Sequence, residues 1–553
     1  MALIFMVACG DDPSQNNNEG GDEEELPRVV ESEFGTYHVR FSPSVDPVPF
    51  NEFFELSVEV FEDEDLEEPA EDVDLEFDAR VEELNGRLPT APTVESIGGG
   101  EFEVEGVMLH VPRRWELRFE FDEDGLTERA VGLVDPRSGF ETGEDPTGFF
   151  DDDEVRRILS FSPEGGPELP ESPSNRYADD PDAARFGQFA FFDERFSEGE
   201  AVSCATCHVP EEGFADGAKL GTGLDEVDRN TPTLLNAAYS RWQFLDGRTD
   251  SLWSQALQPF EAEREHGFNR MKVVRTIAED EEYRAAYEEI FGSLPDVADE
   301  ERFPEDARPV PGDEEHPDHV AWREMSEEDR QAVNAVYANL GKAIAAYERK
   351  LVRLDAPFDA YADGLRTGDE AALDAISEEA RAGLDLFLND AQCDLCHNGP
   401  MLANDGFHNL GLRPREWMPD EDPGRSDGAD QLVDDPFNAG GPFSDASEDE
   451  PDHLRYLRRD EQRQMGAFKT STLRNIELTG PYMHGGHFDN LSELIRFYGD
   501  LQEDPVVGRR DPLVQPFSVN SEEVDQLEAF METLTGEPLD DELKEQPDSP
   551  LSE

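Results

Sequence analysis

Two copies of the motif Cys-x-x-Cys-His constrain this chain more than any other feature of its sequence. They read Cys204-Ala-Thr-Cys207-His208 and Cys393-Asp-Leu-Cys396-His397. In this motif the two thiols form thioether bonds to a haem, and the histidine that follows ligates the iron. A thioredoxin-like Cys-x-x-Cys site and half of a zinc site are the alternatives, but both leave the repeated histidine unexplained. The sequence therefore predicts two covalently attached c-type haems.

The fifth cysteine, Cys9, follows an apolar run and precedes a polar tract. This order is typical of the end of a lipoprotein signal peptide, so we expect Cys9 to be acylated and residues 1–28 to be a signal remnant and polar tether. The alternative is a disordered N-terminus. Haem attachment of this kind takes place outside the cytoplasm, which independently indicates export. The prediction is a periplasmic protein held at the membrane by a lipid anchor only.

The charge balance is strongly acidic, with 132 acidic against 46 basic residues and a formal net charge of −86. Nucleic acid is excluded as a partner because its phosphates would be repelled. The negative electrostatic field of such a chain could attract a basic electron-donor protein. The acidic residues are spread along the whole chain, however, which is more typical of a solvated, halophile-type surface whose charge is screened in concentrated salt.

Residues 29–135 alternate between apolar and polar side chains, as in Phe54, Leu56, Val58 and Val60. Short alternating segments separated by turn residues predict half-buried strands, and together an antiparallel β-sandwich. The remainder has apolar residues mainly at helical spacing. The expected fold is therefore multidomain: the sandwich, then two mainly α cytochrome c-like haem domains at 150–365 and 366–540, and a disordered tail at 541–553.

The sandwich segment resembles the YtkA-like domain, through Val48-Pro49-Phe50-Asn51 before one strand and Val111-Pro112-Arg113-Arg114-Trp115-Glu116 late in the segment. That family often carries His-Gly-Met near its middle, which indicates metal handling. The matching stretch here reads Asn85-Gly86-Arg87, so the resemblance does not predict copper binding. His38 and His110 remain as metal ligands or, alternatively, as residues that pack at strand ends.

A second resemblance rests on an ordered set of motifs between about residues 150 and 536. These are the segment Gly187–Ser197, Arg229-Asn230-Thr231-Pro232-Thr233, Asp246-Gly247-Arg248, Ala356-Pro357-Phe358-Asp359 and Thr472–His484. Together they resemble the bacterial di-haem cytochrome c peroxidase and MauG superfamily. The resemblance implies that the first haem meets peroxide and the second passes electrons, with His208 and His397 as the proximal iron ligands.

The resemblance also implies a distal acid/base, Glu265, accompanied by Gln255 and Pro259. A carboxylate suits this role because it can take a proton from one peroxide oxygen and return it to the other. The expected reaction is reduction of hydrogen peroxide to water, with electrons from a small periplasmic redox protein, a cytochrome c or cupredoxin. A MauG-like oxidase that modifies a protein substrate is the main alternative, and a pure electron-transfer cytochrome is another.

Departures from the family pattern refine these expectations. No histidine lies between His208 and His266, so the histidine that blocks the first iron in peroxidases needing reductive activation has no counterpart. Tyr498 stands where those peroxidases supply a methionine ligand to the second iron, as in MauG-like members. A phenolate ligand lowers the reduction potential of the haem iron relative to a thioether ligand. A core tyrosine is the alternative, with Met483 and His487 as fallback ligands.

Two further positions concern the region between the haems. Most relatives have tryptophan before Asp-Gly-Arg, where this chain has Leu245; Trp242, three residues earlier, is either a substitute or a packing residue. The resemblance also implies a calcium ion held by Asn230 and by the carbonyls of Thr479 and Pro481, oxygen donors of the kind that calcium prefers.

Overall fold

The computed structural model describes residues 27–551, except 72, 83, 85, 124, 125 and 448–452. The predicted lipidation site, Cys9, lies outside the described residues and stays a prediction. Within the part of the chain that is described, no helix is long and apolar enough to span a bilayer. The expected order of a β-rich N-terminal region followed by a helical remainder is confirmed.

Eight strands build the N-terminal domain. They are β1 (Arg28–Glu31), β2 (His38–Pro43), β3 (Phe53–Phe61), β4 (Leu75–Val81), β5 (Thr93–Gly98), β6 (Glu101–Met108), β7 (Trp115–Glu123) and β8 (Leu126–Val134). One sheet has the order β1-β2-β3-β6-β5 and the other has the order β4-β7-β8, with antiparallel pairing throughout. The alternating apolar residues form one core between the sheets. Burial of these inward-facing side chains selects the sandwich.

The register separates the two histidines that could have shared a metal ion. His38 pairs with Phe61 at the end of β3, whereas Met108, two residues before His110, pairs with Phe53 at its beginning. The length of β3 places the two ends about 26 Å apart. The two histidines therefore cannot share one metal ion, and a ligand role for either one alone stays a prediction.

The first haem domain contains α2 to α9, and the helix α1 (Asp152–Ser160) precedes them. Their bounds are α2 Pro181–Phe191, α3 Cys204–Cys207, α4 Leu252–Gln255, α5 Gln258–Glu261, α6 Arg270–Glu279, α7 Glu281–Ile290, α8 Pro317–Glu324 and α9 Glu327–Glu348. The long helix α9 begins at the N-cap Ser326, whose hydroxyl accepts from the Asp329 amide. It packs along α2 and α4 in an aromatic-rich core.

The second haem domain contains α10 to α16 and a two-stranded ribbon. The bounds are α10 Pro357–Thr367, α11 Glu370–Leu373, α12 Glu378–Leu388, β9 Phe407–His408, α13 Arg425–Asp434, α14 Glu461–Gln464, β10 Phe468–Lys469, α15 Leu491–Asp500 and α16 Ser521–Glu532. Its core is formed mainly by α12 packed against α16.

The boundary between the haem domains differs from the predicted division at 365/366. Phe358 and Leu365 of α10 and Val155 of α1 lie in the core of the second haem domain. The apolar spacing of a helix shows which face is buried but not which neighbour covers it. By core membership, α1 and α10 therefore belong to the second domain.

The prediction of a disordered tail at 541–553 is wrong for residues 541–551. Leu543 and Leu551 pack against the core of the first haem domain. The Tyr347 hydroxyl donates to the Leu543 carbonyl, and the Arg185 side chain donates to the Leu551 carbonyl at 2.9 Å. The acidic composition suggested disorder, but these backbone carbonyls have partners that lie far away in the sequence.

Candidate di-haem active site

Both Cys-x-x-Cys-His motifs present a neutral imidazole in a fixed orientation. The Nδ1 atom of His208 lies 3.1 Å from the Phe214 carbonyl, and that of His397 lies 3.0 Å from the Leu402 carbonyl. Burial lowers the pKa of both histidines. A hydrogen bond at Nδ1 fixes the tautomer and leaves Nε2 for a metal, as is usual for histidine ligands.

The four motif cysteines form no disulfide and line one cavity system. Cys204 and Cys207 are one turn apart at the two ends of α3, whereas Cys393 begins a short 3₁₀ turn. A cavity of about 1290 Å³ is lined by residues of both motifs. This exceeds the 300–1,000 Å³ of ordinary small-molecule sites. Its volume, thiols and imidazoles fit two large, covalently attached haems.

The three predicted distal residues meet at the first motif. Gln255, Pro259 and Glu265 line a small pocket together with Cys204, Cys207 and His208. Gln255 ends α4, Pro259 lies in α5, and Glu265 follows in the turn after α5. The structure therefore brings the distal residues to a motif that lies about fifty to sixty positions earlier in the sequence.

The Glu265 carboxyl is half-buried, and burial raises its pKa, with Arg248 and Arg264 opposing the change. Arg248 is held by Asp246 at 3.1 Å and by Gln258 at 2.8 Å, and its guanidinium lies over the Phe244 ring. A carboxyl with a raised pKa beside a fixed cation can both accept and return a proton.

Sequence reasoning missed two residues of this pocket. His266 and Glu348 both line it. His266 directs its Nδ1 to the Phe196 carbonyl at 3.0 Å, and burial lowers its pKa to about 4. Glu348 follows Leu340 and Ile344 at four-residue intervals on the buried face of α9. That spacing was the available signal for a buried carboxyl.

At the second motif, Tyr498 of α15 lines the large cavity together with Cys393 and Cys396. Burial raises its phenol pKa. Met483 lines the same cavity. His487 is not part of the cavity lining that the structure describes, and its Nε2 lies 3.2 Å from the Arg413 carbonyl. Tyr498 and Met483 are therefore better placed than His487 to reach a second iron.

Leu245 lines the cavity between the motifs, together with Phe468 and His484. The rings of Phe468 and His484 are stacked, with their centroids 3.8 Å apart. Within the described residues no tryptophan lines it. The Trp242 ring instead lies under the Arg425 guanidinium, 4.6 Å from its centroid. Because a cation over the ring disfavours its oxidation to a radical cation, Trp242 is a poor substitute for the missing tryptophan.

The three predicted calcium ligands, Asn230, Thr479 and Pro481, all line the large cavity. The Asn230 amide Nδ2 donates to the Ala218 carbonyl at 2.7 Å, and its backbone N–H donates to the His484 carbonyl. Among the described residues there is no cluster of three His, Cys, Asp or Glu side chains suited to a metal. A calcium site built on carbonyl oxygens stays a prediction.

The sandwich covers the second motif directly. Leu395, between the two cysteines, is buried in the sandwich core. Arg113 donates two hydrogen bonds to Asp394, at 2.9 and 3.0 Å, and Arg157 of α1 donates a third at 3.2 Å. The N-terminal domain is thus part of the wall that holds the second haem-binding segment.

Comparison with known proteins agrees with this geometry. The family described as di-haem cytochrome c peroxidase matches residues 181–367. The methylamine utilization protein MauG of Methylorubrum extorquens is 31% identical over 363 residues, covering 65% of this chain and 79% of the relative. The chain belongs to the di-haem cytochrome c peroxidase and MauG family. It is accordingly an oxidoreductase of the peroxidase type with two c-type haems.

Two other relatives are named cytochrome peroxidases, and one solved structure is similar in part. Cytochrome-c peroxidase IdrP1 of Denitromonas iodatirespirans is 30% identical, covering 66% of this chain and 85% of the relative. Cytochrome c551 peroxidase of Pseudomonas aeruginosa is 29% identical, covering 63% and 78%. The solved di-haem peroxidase BthA of Burkholderia thailandensis is 21% identical with a TM-score of 0.47, covering 68% of this chain and 90% of that one. The likeness of the sandwich to YtkA-like domains stays a prediction.

Proposed function

We propose that this protein reduces hydrogen peroxide to water at the first motif, with electrons that enter through the second. The observation that carries the proposal is the position of Glu265 in the wall that also holds Cys204, Cys207 and His208. An electron-transfer cytochrome needs no acid/base carboxyl beside its haem. The balanced reaction consumes one peroxide, two electrons and two protons and yields two waters.

The bound haem would supply the iron that coordinates peroxide and accepts electrons. Glu265 accepts a proton from the nearer peroxide oxygen and returns it to the farther one, and its raised pKa suits both steps. Arg248 limits that rise and keeps the carboxylate form accessible. Gln255 contributes a carboxamide to the pocket, and Pro259, which lacks an N–H, adds an apolar wall.

We further propose a small redox protein as the electron donor and the periplasm as the location, with Cys9 as the lipid anchor. The formal charge of −86 suits a basic donor. Calcium at Asn230, Thr479 and Pro481 belongs to the same proposal, because all three reach the cavity between the motifs.

A MauG-like modification of a protein substrate is the second candidate. Tyr498 at the second motif favours it, because a phenolate ligand stabilises oxidised iron. Leu245 between the motifs and Arg425 over Trp242 argue against it, because neither position offers an easily oxidised ring. We favour the peroxidase, which demands less of the path between the haems.

The test is steady-state turnover of hydrogen peroxide by the di-haem protein with a reduced basic cytochrome c, compared with peroxide alone. Glu265→Gln should slow the peroxide reaction by about a hundredfold with both haems retained, the usual scale for a positioned acid/base. The matched control is Glu263→Gln, because this nearby carboxyl is 83% exposed. Equal rates in the two variants, or no turnover with any small reductant protein, would contradict the proposal.

A further inference from the structure

Glu348 is a second carboxyl of the first haem pocket, and the proposed mechanism does not use it. It is the last residue of α9 and is only 3% exposed. Its side chain shares the pocket wall with Cys204 and Cys207, the two residues that bind the haem covalently. The carboxyl therefore lies in the wall of the pocket whose cysteines would hold this haem.

Within the described part of the chain, no cation is paired with this carboxyl. Its Oε2 atom is buried without a hydrogen-bond partner among the described residues. The neighbouring Arg349 is directed away, to Asp179 at 2.8 Å and to the Pro170 carbonyl. Burial alone raises the pKa of Glu348 to about 8. A buried carboxyl in this setting changes its protonation when the charge beside it changes.

The other titratable groups around Glu348 are few. Tyr347 donates its hydroxyl to the Leu543 carbonyl and has a raised pKa, so it stays neutral. His266 has a pKa of about 4 and is neutral above that value. Both cysteines lose their protons permanently in thioether bonds. Apart from the proximal His208, Glu265 is the one remaining titratable side chain of that pocket wall.

We propose that Glu348 is a redox-linked proton site of the first haem. When this haem accepts an electron, Glu348 carboxylate takes up one proton from solvent and becomes a carboxylic acid; when the electron leaves, the proton is released. The charge near the haem edge is then the same before and after the transfer. By linkage, the electron favours the proton as much as the proton favours the electron.

The proposal requires only that haem is attached at the first motif, and it does not depend on which substrate the oxidised enzyme attacks. The measurement is a redox titration of the whole di-haem protein between pH 5 and 9, followed by electron paramagnetic resonance, which separates the two ferric haems. In the native chain the reduction equilibrium of the first haem should approach a tenfold change per pH unit below about pH 8, which corresponds to one proton per electron, and it should flatten at higher pH, where Glu348 stays a carboxylate. The second haem serves as an internal reference.

Glu348→Gln should remove most of that pH dependence at the first haem and leave the second haem unchanged. Glu265→Gln changes the other carboxyl of the pocket and should retain the pH dependence of the first haem. An unaltered slope in Glu348→Gln, a flat slope in the native chain, or loss of the slope through Glu265→Gln alone would each overturn the proposal. Failure of peroxide turnover would not affect these outcomes, so the two proposals are tested separately.

If Glu348→Gln fails to fold, Glu348→Asp provides the second measurement. A reduced-minus-oxidised infrared difference spectrum of the native protein should contain the C=O stretch of a newly protonated carboxylic acid. That band should shift in Glu348→Asp, because the shorter side chain meets different surroundings. A band that is absent or unshifted would refute the assignment.

Discussion

Arg113 of the sandwich lies at the contact between the N-terminal domain and the second haem motif, and its removal is a strong perturbation of this contact. Asp394, within that motif, is fully buried and accepts two hydrogen bonds from Arg113 and one from Arg157. Arg113→Ala removes two bonds to a charged acceptor, each worth at least about 1.5 kcal/mol. Because Arg157 still pairs with Asp394, we expect the free energy of unfolding to fall by about 3 kcal/mol, the lower end of the range for a broken buried ion pair.

The assay is urea unfolding of the di-haem protein, followed by circular dichroism, with Arg114→Ala as the matched control. Arg114 is 52% exposed and lies 3.7 Å from Glu82, so its removal should cost less than about 1 kcal/mol. In an Asp394→Asn background the cost of Arg113→Ala should also fall below about 1 kcal/mol, because the two side chains are energetically coupled. If Arg113→Ala costs no more than Arg114→Ala, the reasoning is refuted.

Three further predictions concern the haems. No blocking histidine lies between His208 and His266, so the resting protein should contain one high-spin and one low-spin ferric haem and react with peroxide without pre-reduction. Electron paramagnetic resonance that shows two low-spin haems, with activity only after half-reduction, would contradict this. Tyr498→Met should raise the potential of the second haem and improve turnover with a cytochrome donor, and an unchanged potential would show that Tyr498 is no ligand. Trp242→Phe should leave the rate of electron exchange between the haems within about twofold, whereas a larger loss would show that Trp242 carries charge despite Arg425.

The haem-binding motifs could be found from the sequence because thioether attachment needs its residues at fixed local spacing. The sandwich could be predicted for a similar reason, since strands such as β3 alternate with period two over their whole length. Gln255, Pro259 and Glu265 were identified through family resemblance, and the structure gathers them at Cys204 and Cys207.

Other features were decided by tertiary structure, because periodicity determines an apolar face without naming its partner. The assignment of α1 and α10 to the second core, and the packing of Leu543 and Leu551 on the first, depend on contacts between distant segments. The same holds for Asp394, which is charged in the sequence and buried under Arg113 in the fold. Glu348 shows the principle most clearly: its protonation is set by desolvation, and desolvation depends on what the whole chain packs around it.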